Sequence, residues 1–186
     1  MASKEEQEFG YQLKIPKERV AVLIGKKGEV KKHIETITKT RIDVDSKEGE
    51  VLIKGKDALG MYSAKEVVRA IGRGFNPEIA QLLVKQDYAF ELLNISDFSR
   101  TKNDEKRLKG RVIGEKGKSR STIEELTGAY ISVYGKTIAI IGEINSVGIA
   151  RRAVESLLSG SPHANVYRWL EKQRRDIRKK EVLEAL

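Results

Sequence analysis

Hydrophobic residues along this chain recur with two different periods, one typical of strands and one typical of helices. The same succession of the two periods occurs twice. Strand-like runs predict extended segments at residues 12–15, 41–45, 51–55, 88–95 and 137–142. Helical spacing predicts helices at 16–24, 57–71 and 143–158, and one more where Val30, Ile34 and Ile37 share a face. The predicted order of elements in the better-defined first half is strand, helix, helix, strand, strand, helix.

An internal repeat supports this reading. Residues 24–44 and 113–133 align without a gap and are identical at nine of 21 positions. Each copy contains G-x-x-G, at 25–28 and 114–117, between two predicted helices. Because a short turn joins the two strands that follow, each copy predicts a β-hairpin and hence an antiparallel sheet. The fold class predicted from the repeat is α+β with two similar domains.

Breaks in the pattern give the predicted domain boundaries. Gly72, Gly74 and Pro77 interrupt the helical spacing between the copies, and the segment SGSPHAN interrupts it again after the second copy. The predicted division is a flexible N-terminus at 1–10, a first domain at 11–74, a linker helix at 75–87, a second domain at 88–160 and a basic C-terminal helix at 161–186. We expect the two domains to pack side by side.

Composition narrows the kind of partner. The 186 residues carry a net charge of +9 and a pI of about 9.6, which favours a polyanion such as nucleic acid. There are no cysteines, no apolar run of the roughly 18 residues that a membrane span needs, and no signal-peptide pattern at the start. His33 and His163 are isolated, so neither a metal nor a cofactor is predicted. We expect a cytoplasmic protein that is not an enzyme.

The glycine pairs have two possible phosphate ligands. The run Gly117-Lys118-Ser119 matches the last three residues of the nucleotide-binding P-loop motif. However, Val112 occupies the position where that motif requires its first glycine. A G-x-x-G turn between two helices suits the sugar–phosphate backbone instead, because missing side chains let a phosphate approach closely. The following helix would add amide N–H groups and the positive end of its dipole. We therefore interpret each turn as a clamp for single-stranded nucleic acid, beside an apolar groove for the bases.

The motif I-G-x-x-G at 24–28 and 113–117, with the apolar helix and strand that follow, resembles the KH domain. The resemblance covers about 10–72 and 88–160 and implies the type I, eukaryotic-type fold. That fold is α+β: in each domain a three-stranded antiparallel sheet has helices packed on one face. A clamp of this kind holds about four nucleotides of single strand. The chain departs from the KH pattern at Lys31 and Arg120, where an aliphatic residue is usual. This change predicts either a more basic groove wall or a shifted helix register.

The resemblance and the charge pattern together predict the RNA-contact residues. In the first copy they are Ile24, Gly25, Lys26, Lys27, Gly28, Lys31, Lys32 and Arg41. In the second copy they are Ile113, Gly114, Glu115, Lys116, Gly117, Lys118, Ser119, Arg120 and Tyr130. On the C-terminal helix they are Arg168, Arg174, Arg175 and Arg178. For that helix we favour an RNA or partner contact over a solvated face, and a membrane-surface helix is the least favoured interpretation. Trp169 is predicted as a packing anchor.

Two KH copies, the basic C-terminal helix and the run at 114–124 are similar to the archaeal two-KH ribosome-assembly family. This resemblance implies a role in small-subunit ribosome biogenesis and rRNA processing, with the single-stranded 3′ region of small-subunit rRNA as ligand. It also implies two protein partners, the endonuclease that matures this 3′ end and the α subunit of translation initiation factor two. Two alternatives stay open: an exosome-type cofactor of RNA decay or processing, and a KH scaffold used mainly for protein contacts.

Overall fold

The computed structural model describes residues 9–184, which form two compact units that divide between Tyr88 and Ala89. The strands of the first unit are β1 (Phe9–Lys14), β2 (Thr40–Asp45) and β3 (Glu50–Gly55). Its helices are α1 (Lys17–Ile24), α2 (Glu29–Thr38), α3 (Ala58–Gly72) and the short α4 (Pro77–Ala80). The predicted flexible N-terminus lies mostly outside the described residues, and its last two positions, Phe9 and Gly10, begin β1.

The sheet of the first unit is antiparallel with the order β1-β3-β2. In the register, Ile53 of β3 lies opposite Tyr11 of β1 and Ile42 of β2. Because side chains alternate along a strand, Ile42, Val51 and Ile53 point together into the core, where each is fully buried. The helices cover this one face of the sheet, with Leu23, Ile34 and Ile71 supplying the opposing core side chains.

The second unit repeats this plan. Its strands are β4 (Tyr88–Asn94), β5 (Tyr130–Tyr134) and β6 (Thr137–Glu143), in the order β4-β6-β5. Its helices are α5 (Lys102–Ile113), α6 (Lys118–Thr127), α7 (Ile144–Leu158) and α8 (His163–Glu184). The core contains Leu108, Ile123, Ile138, Ile140 and Leu157, and Val166 and Leu170 of α8 are buried in the same cluster.

In each unit an arginine on the first helix, α1 or α5, donates hydrogen bonds to carbonyl groups at the end of the long helix that follows the β-hairpin, α3 or α7. Arg19 donates from Nε to the Ile71 carbonyl (2.8 Å) and from Nη2 to the Phe75 carbonyl (2.7 Å). Arg111 donates in the same way to the carbonyls of Leu157 (3.0 Å) and Ser161 (2.6 Å). These carbonyls lie at or beyond a helix C-terminus and need partners, so the arginines satisfy them and tie the helices together.

The predicted order of elements and the two antiparallel sheets are confirmed, and so is the α+β fold class. Element boundaries differ in three places. Strand β1 begins at Phe9 rather than residue 12, and α8 begins at His163, within the segment SGSPHAN that the pattern predicted as a break. The linker contains α4 followed by a 3₁₀ turn at Gln81–Val84. Among the described residues, no helix has the length and apolar character to cross a membrane.

Candidate nucleic-acid interface

The first glycine of each pair has a backbone conformation that other residues avoid. Gly25 has φ 73° and ψ 177°, and Gly114 has φ 73° and ψ 176°. This region is essentially restricted to glycine. A Cβ on Gly25 would lie 2.9 Å from the backbone nitrogen of Val30, and one on Gly114 would lie 2.6 Å from that of Ser119. Each helix that follows the loop therefore packs directly against this glycine.

The second glycine of each pair has a different reason for being glycine. Gly28 (φ 80°) and Gly117 (φ 81°) are in the left-handed conformation, and a Cβ on either would meet no atom within 4 Å. The N–H of Gly28 bonds to the carbonyl of Gly25 (3.2 Å), and that of Gly117 bonds to Gly114 (3.3 Å). The outer surface of each turn is therefore open backbone, which a phosphate group can approach.

Between the glycines, one lysine in each loop is also left-handed. Lys27 has φ 53° and Lys116 has φ 51°, a conformation that costs a residue with a Cβ about 1–2 kcal/mol. Both lysines are exposed, as are their neighbours Lys26 and Glu115. The loop thus holds a cationic side chain at the tip of the turn on strained backbone. The sequence pattern predicted the charge but not the strain.

Further exposed cations surround each loop, but they lie at different positions in the two copies. Lys32 lies one turn into α2 and Lys118 begins α6, and both are exposed. The first loop carries two lysines between its glycines, whereas the second carries one lysine and Glu115. Directly after the second glycine the charges are reversed, because Glu29 begins α2 and Lys118 begins α6, so the net charge over the five residues from the first glycine is +1 in both copies.

The isoleucines beside the loops divide into two pairs. Ile24 and Ile113, which immediately precede the glycines, are half-buried, whereas Ile34 and Ile123 on the following helices are fully buried. Only the first pair therefore offers an apolar edge next to the loop. Arg41 is the second residue of β2 and Tyr130 the first of β5, and both are exposed. Arg41 Nε lies 3.6 Å from Asp43 Oδ1.

Lys31 stands at the position where the chain departs from the usual KH pattern, and it has an intramolecular role. Its Nζ donates to the Ile42 carbonyl (2.7 Å) and to Glu35 Oε1 (3.2 Å), and Glu35 Oε1 accepts the Ile42 N–H (2.7 Å). Lys31 and Glu35 thus join α2 to the start of β2. The helix register is not shifted, since Ile34 stays fully buried.

The matching residues of the second copy make a looser version of the same link. Glu124 Oε1 accepts the Ile131 N–H at 2.7 Å, as Glu35 does for Ile42. Arg120, however, reaches Glu124 only by a 3.7 Å ion pair, and 44% of its side chain is exposed. Sequence reasoning missed this network, although the spacing of Lys31 and Glu35, repeated by Arg120 and Glu124, is the i, i+4 spacing of a helical ion pair.

Ser119 is predicted as an RNA contact, but the structure places it beneath the loop. It is 3% exposed and packs against Gly114, and its Oγ has no hydrogen-bond partner among the described residues. In the first copy Val30 takes the same place against Gly25. A small side chain at this position fills the space under the first glycine, and this is the role that the structure gives to both residues.

The C-terminal helix α8 packs against α6 and α7. Trp169 on this helix is partly buried and packs against the core of the second unit, which confirms the predicted packing anchor. The Arg152 guanidinium lies 5.2 Å from the centroid of the Trp169 ring. At the start of the helix, His163 Nε2 lies 2.8 Å from the Arg111 carbonyl. Of the four predicted arginines, Arg174 is half-buried, and the exposed ones are Arg168, Arg175 and Arg178.

The P-loop alternative does not fit this geometry. Val112 is buried within α5, and the sheet beside the loop is antiparallel, whereas a P-loop follows a strand of a parallel sheet. Among residues 9–184, no group of three His, Cys, Asp or Glu side chains could hold a metal ion. The loops, their exposed lysines and the half-buried isoleucines define a tandem KH protein of type I.

Comparisons with known proteins agree with this class. The family described as eukaryotic type KH domain (KH domain type I), from the second KH domain of PNO1 proteins, matches residues 89–175, and the KH domain family matches 10–70. A KH domain-containing protein of Methanocaldococcus jannaschii is 53% identical over 171 residues, which are 90% of this chain and 75% of that protein. The RNA-binding protein pno1 of Dictyostelium discoideum is 30% identical, over 82% of this chain and 66% of its own length.

A solved structure extends the comparison to the whole fold. Dim2p from Pyrococcus horikoshii, in a complex with the α subunit of initiation factor two and rRNA, superposes with a TM-score of 0.86. It is 47% identical, and the match covers 93% of this chain and 98% of that one. The chain belongs to the Dim2p/PNO1 family of two-KH-domain proteins.

Proposed function

We propose that this protein binds single-stranded RNA in small-subunit ribosome biogenesis, and that its ligand is the 3′ region of small-subunit rRNA. The observation that carries the proposal is the duplicated loop, in which Gly25 and Gly114 have the same restricted backbone and Lys27 and Lys116 the same left-handed tip. Two such clamps can hold two stretches of one strand, so that their affinities combine. The rRNA-bound structure of the Pyrococcus relative supports the choice of ligand.

In the proposed mechanism the loops bind the backbone and the grooves bind the bases. Lys26, Lys27, Lys116 and Lys118 neutralise phosphates, and counterions are released as they do so. The half-buried edges of Ile24 and Ile113, with Arg41 and Tyr130 at the strands, face the unstacked bases. Lys31 positions α2 against β2 and acts on RNA only through that link, whereas Arg120 has the freedom to reach a phosphate.

The proposal includes no chemical step. As a cytoplasmic assembly factor, the protein would hold the rRNA 3′ end in place for a separate nuclease. The α subunit of initiation factor two is proposed as a protein partner because the Pyrococcus relative was solved in a complex with it. The 3′-end endonuclease is proposed as a second partner on the family resemblance alone.

The test is a fluorescence-anisotropy titration of a labelled oligonucleotide with the sequence of the small-subunit rRNA 3′ end. A scrambled strand and a duplex are titrated beside it at several salt concentrations. The variants are Lys26→Asp with Lys27→Asp, and Lys116→Asp with Lys118→Asp. Aspartate tolerates the left-handed conformation better than most residues, so the loop keeps its shape.

A matched control changes the same amount of charge away from the loops. Lys102→Asp with Lys106→Asp alters two exposed lysines at the far end of α5, about 12–18 Å along the helix from Gly114. We expect the loop variants to weaken binding by about tenfold or more and to lower the salt dependence, with little change for the control. Equal binding to the scramble would favour an RNA decay or processing cofactor. If no loop variant weakens binding, or if the protein does not bind the oligonucleotide, the remaining interpretation is a KH scaffold used mainly for protein contacts.

A further inference from the structure

One corner of the first unit exposes large apolar side chains. The aromatic corner consists of Phe9 and Tyr11 on β1 with Leu59, Tyr62 and Lys65 on α3. The exposed fractions are 48% for Phe9, 40% for Tyr11, 56% for Leu59 and 60% for Tyr62. Lys65 Nζ lies 4.9 Å from the Tyr11 ring centroid and 5.8 Å from that of Tyr62, so the lysine joins the strand to the helix.

The register explains why these side chains meet at an edge. Phe9 and Tyr11 lie opposite Gly55 and Ile53, so they point to the helix-covered face of the sheet. Strand β1 is the outermost strand on its side, however, and α3 covers its inner neighbour β3 more fully. The aromatic rings therefore reach solvent beside the α3 flank that carries Tyr62.

The second unit builds the same corner from different residues. Tyr11 lies four residues before Ile15, and Glu91 lies four residues before Ile95. Ile15 and Ile95 occupy equivalent positions, because each donates its N–H to a carbonyl of the β-hairpin in its own unit. The acceptors are Gly49 and Lys136, each at 2.9 Å. Helices α3 and α7 both have 15 residues, so their eighth positions, Lys65 and Arg151, correspond.

Ion pairs close the corner of the second unit. Arg151 binds Glu91 at 2.7 Å and Glu155 at 2.9 Å. By the same alignment, Ala89 matches Phe9 and Gly148 matches Tyr62. The fold thus forms this corner without any of the three aromatic rings. Their exposure in the first unit is not required for packing, and exposed apolar clusters of this kind commonly bind another molecule.

The edge of β1 adds a second feature. The strand has six residues without proline, and its pairing with β3 runs without a bulge. Within residues 9–184, no strand pairs with its outer edge. Such an edge has backbone N–H and C=O groups that an incoming extended segment can pair with.

Charge at the corner indicates what the segment carries. In the second unit the cation at this place holds two carboxylates at 2.7 and 2.9 Å. In the first unit those two positions are Tyr11 and Arg69. Lys65 Nζ lies 3.7 Å from Glu66 Oε1, and Arg69 binds the same carboxylate at 2.8 Å. An acidic side chain from a partner would complement Lys65 as Glu91 complements Arg151.

We propose that the aromatic corner binds an extended segment of a partner protein, which adds to the outer edge of β1. Alternate apolar side chains of the segment pack on Phe9, Tyr11 and Tyr62, and an acidic side chain pairs with Lys65. Tyrosine and phenylalanine are among the residue types enriched in protein interfaces. A nucleic-acid platform needs outward cations beside its rings, whereas Lys65 is 26% exposed and lies between the rings. This interaction is independent of the RNA clamps.

The probe is a displayed library of random linear peptides about twelve residues long, enough to pair with the whole of β1. It is selected against the full chain, and the enriched sequence is synthesised and titrated by fluorescence anisotropy. We expect alternating apolar residues with at least one acid, and slower amide exchange along β1 in the complex. The test variant combines Phe9→Ala, Tyr11→Glu, Tyr62→Ala and Lys65→Arg, which moves the corner toward the residue types of the second unit.

The expected result is that the combined variant weakens peptide binding by about tenfold or more. The control Ile144→Ala removes another exposed apolar side chain, on α7, and should leave peptide binding unchanged. Tyr62→Ala alone, at a highly exposed position, should also weaken binding and guards against misfolding of the combined variant. No enrichment, or enriched peptides that bind both proteins equally, overturns the proposal. Loss of oligonucleotide binding or of self-association in the combined variant, without an effect on peptide, overturns it in favour of RNA or a second copy.

Discussion

The two G-x-x-G loops share a backbone but differ in several of the charged side chains around it. Gly25 and Gly114 agree within a degree in φ and ψ, and Gly28 and Gly117 agree within 5°. The pair between the glycines is lysine–lysine in the first loop and glutamate–lysine in the second. The turn is therefore determined by its glycines and by helix packing. The charged side chains on its surface are free to differ between the copies.

The side-chain link that joins the helix after each loop to the next strand, α2 to β2 or α6 to β5, also differs between the copies. Lys31 is held by a 2.7 Å bond to the Ile42 carbonyl and is 29% exposed, whereas Arg120 has a single 3.7 Å ion pair and is 44% exposed. The first copy thus uses its basic residue for structure, and the second keeps a more exposed cation beside the clamp. The two copies reach a similar number of available cations by different residues.

The largest expected effect comes from the first glycine of a pair. Gly114→Ala forces a Cβ onto the Ser119 backbone and into a region that alanine avoids, so we expect a loss of about 3 kcal/mol of stability. Gly117→Ala, in open space, should cost only about 1 kcal/mol. Denaturant unfolding followed by the fluorescence of Trp169, the single tryptophan, reports on the second unit. Equal losses for the two variants would show that helix packing does not determine the turn.

The next effect separates Lys31 from Arg120. Lys31→Met leaves the Ile42 carbonyl and Glu35 without their ammonium partner, and we expect a cost of about 2 kcal/mol. Arg120→Met removes an exposed pair and should cost less than about 0.5 kcal/mol. Native-state hydrogen exchange of the Ile42 and Ile131 amides measures the two links. The expected difference between the copies is contradicted if Arg120→Met speeds exchange of the Ile131 amide as much as Lys31→Met speeds exchange of the Ile42 amide.

Exchanging the loop charges should change RNA affinity in opposite directions. Lys26→Glu gives the first loop the residues of the second, and Glu115→Lys does the reverse. We expect the first variant to weaken oligonucleotide binding and the second to strengthen it, each by about 1 kcal/mol. The slope of affinity against salt should shift by about one unit per phosphate contact. Changes of the same sign in both variants would mean that the loops do not act alike.

The smallest effect concerns the end of the helix after each loop. The residue that caps the C-terminus of α2 is Lys39, in the left-handed conformation (φ 53°), and the matching cap of α6 is Gly128 (φ 74°). Lys39→Gly removes this strain, and we expect a gain of up to about 1 kcal/mol. Thermal unfolding should shift upward by a few degrees, whereas Lys47→Gly, at an exposed hairpin position, should not stabilise. No gain at Lys39 would mean that its side chain offsets the strain.

The sequence predicted the fold well because its strongest signals are local and occur twice. Glycine spacing and the periods around it give the same answer in both copies, so an ambiguous stretch in one is resolved by the other. The start of β1 was missed because Phe9 and Gly10 gain their conformation from pairing with Gly55 and Lys54, a partner more than forty residues away. The start of α8 lies within SGSPHAN, which reads as a break in the pattern, and His163 there is held by a contact with the Arg111 carbonyl.

Side-chain roles at the interface were harder to predict. Charge and position alone suggest that Lys31 contacts RNA, since nothing in a list of residues shows that its ammonium reaches a carbonyl on β2. Ser119 is adjacent to the loop in sequence yet lies underneath it in space, packed against Gly114. The strained conformation of Lys27 and Lys116 follows from closing a four-residue turn between two helices, which residue type does not reveal.

The most direct test of two working clamps is the amide chemical-shift change of ¹⁵N-labelled protein when the rRNA 3′-end oligonucleotide is added. We predict the largest changes at 25–28 and 114–117, with smaller changes at Ile24, Ile113 and the starts of β2 and β5. Salt should reduce the changes at both loops together. Large shifts elsewhere, with both glycine loops unperturbed at saturating oligonucleotide, would contradict the account.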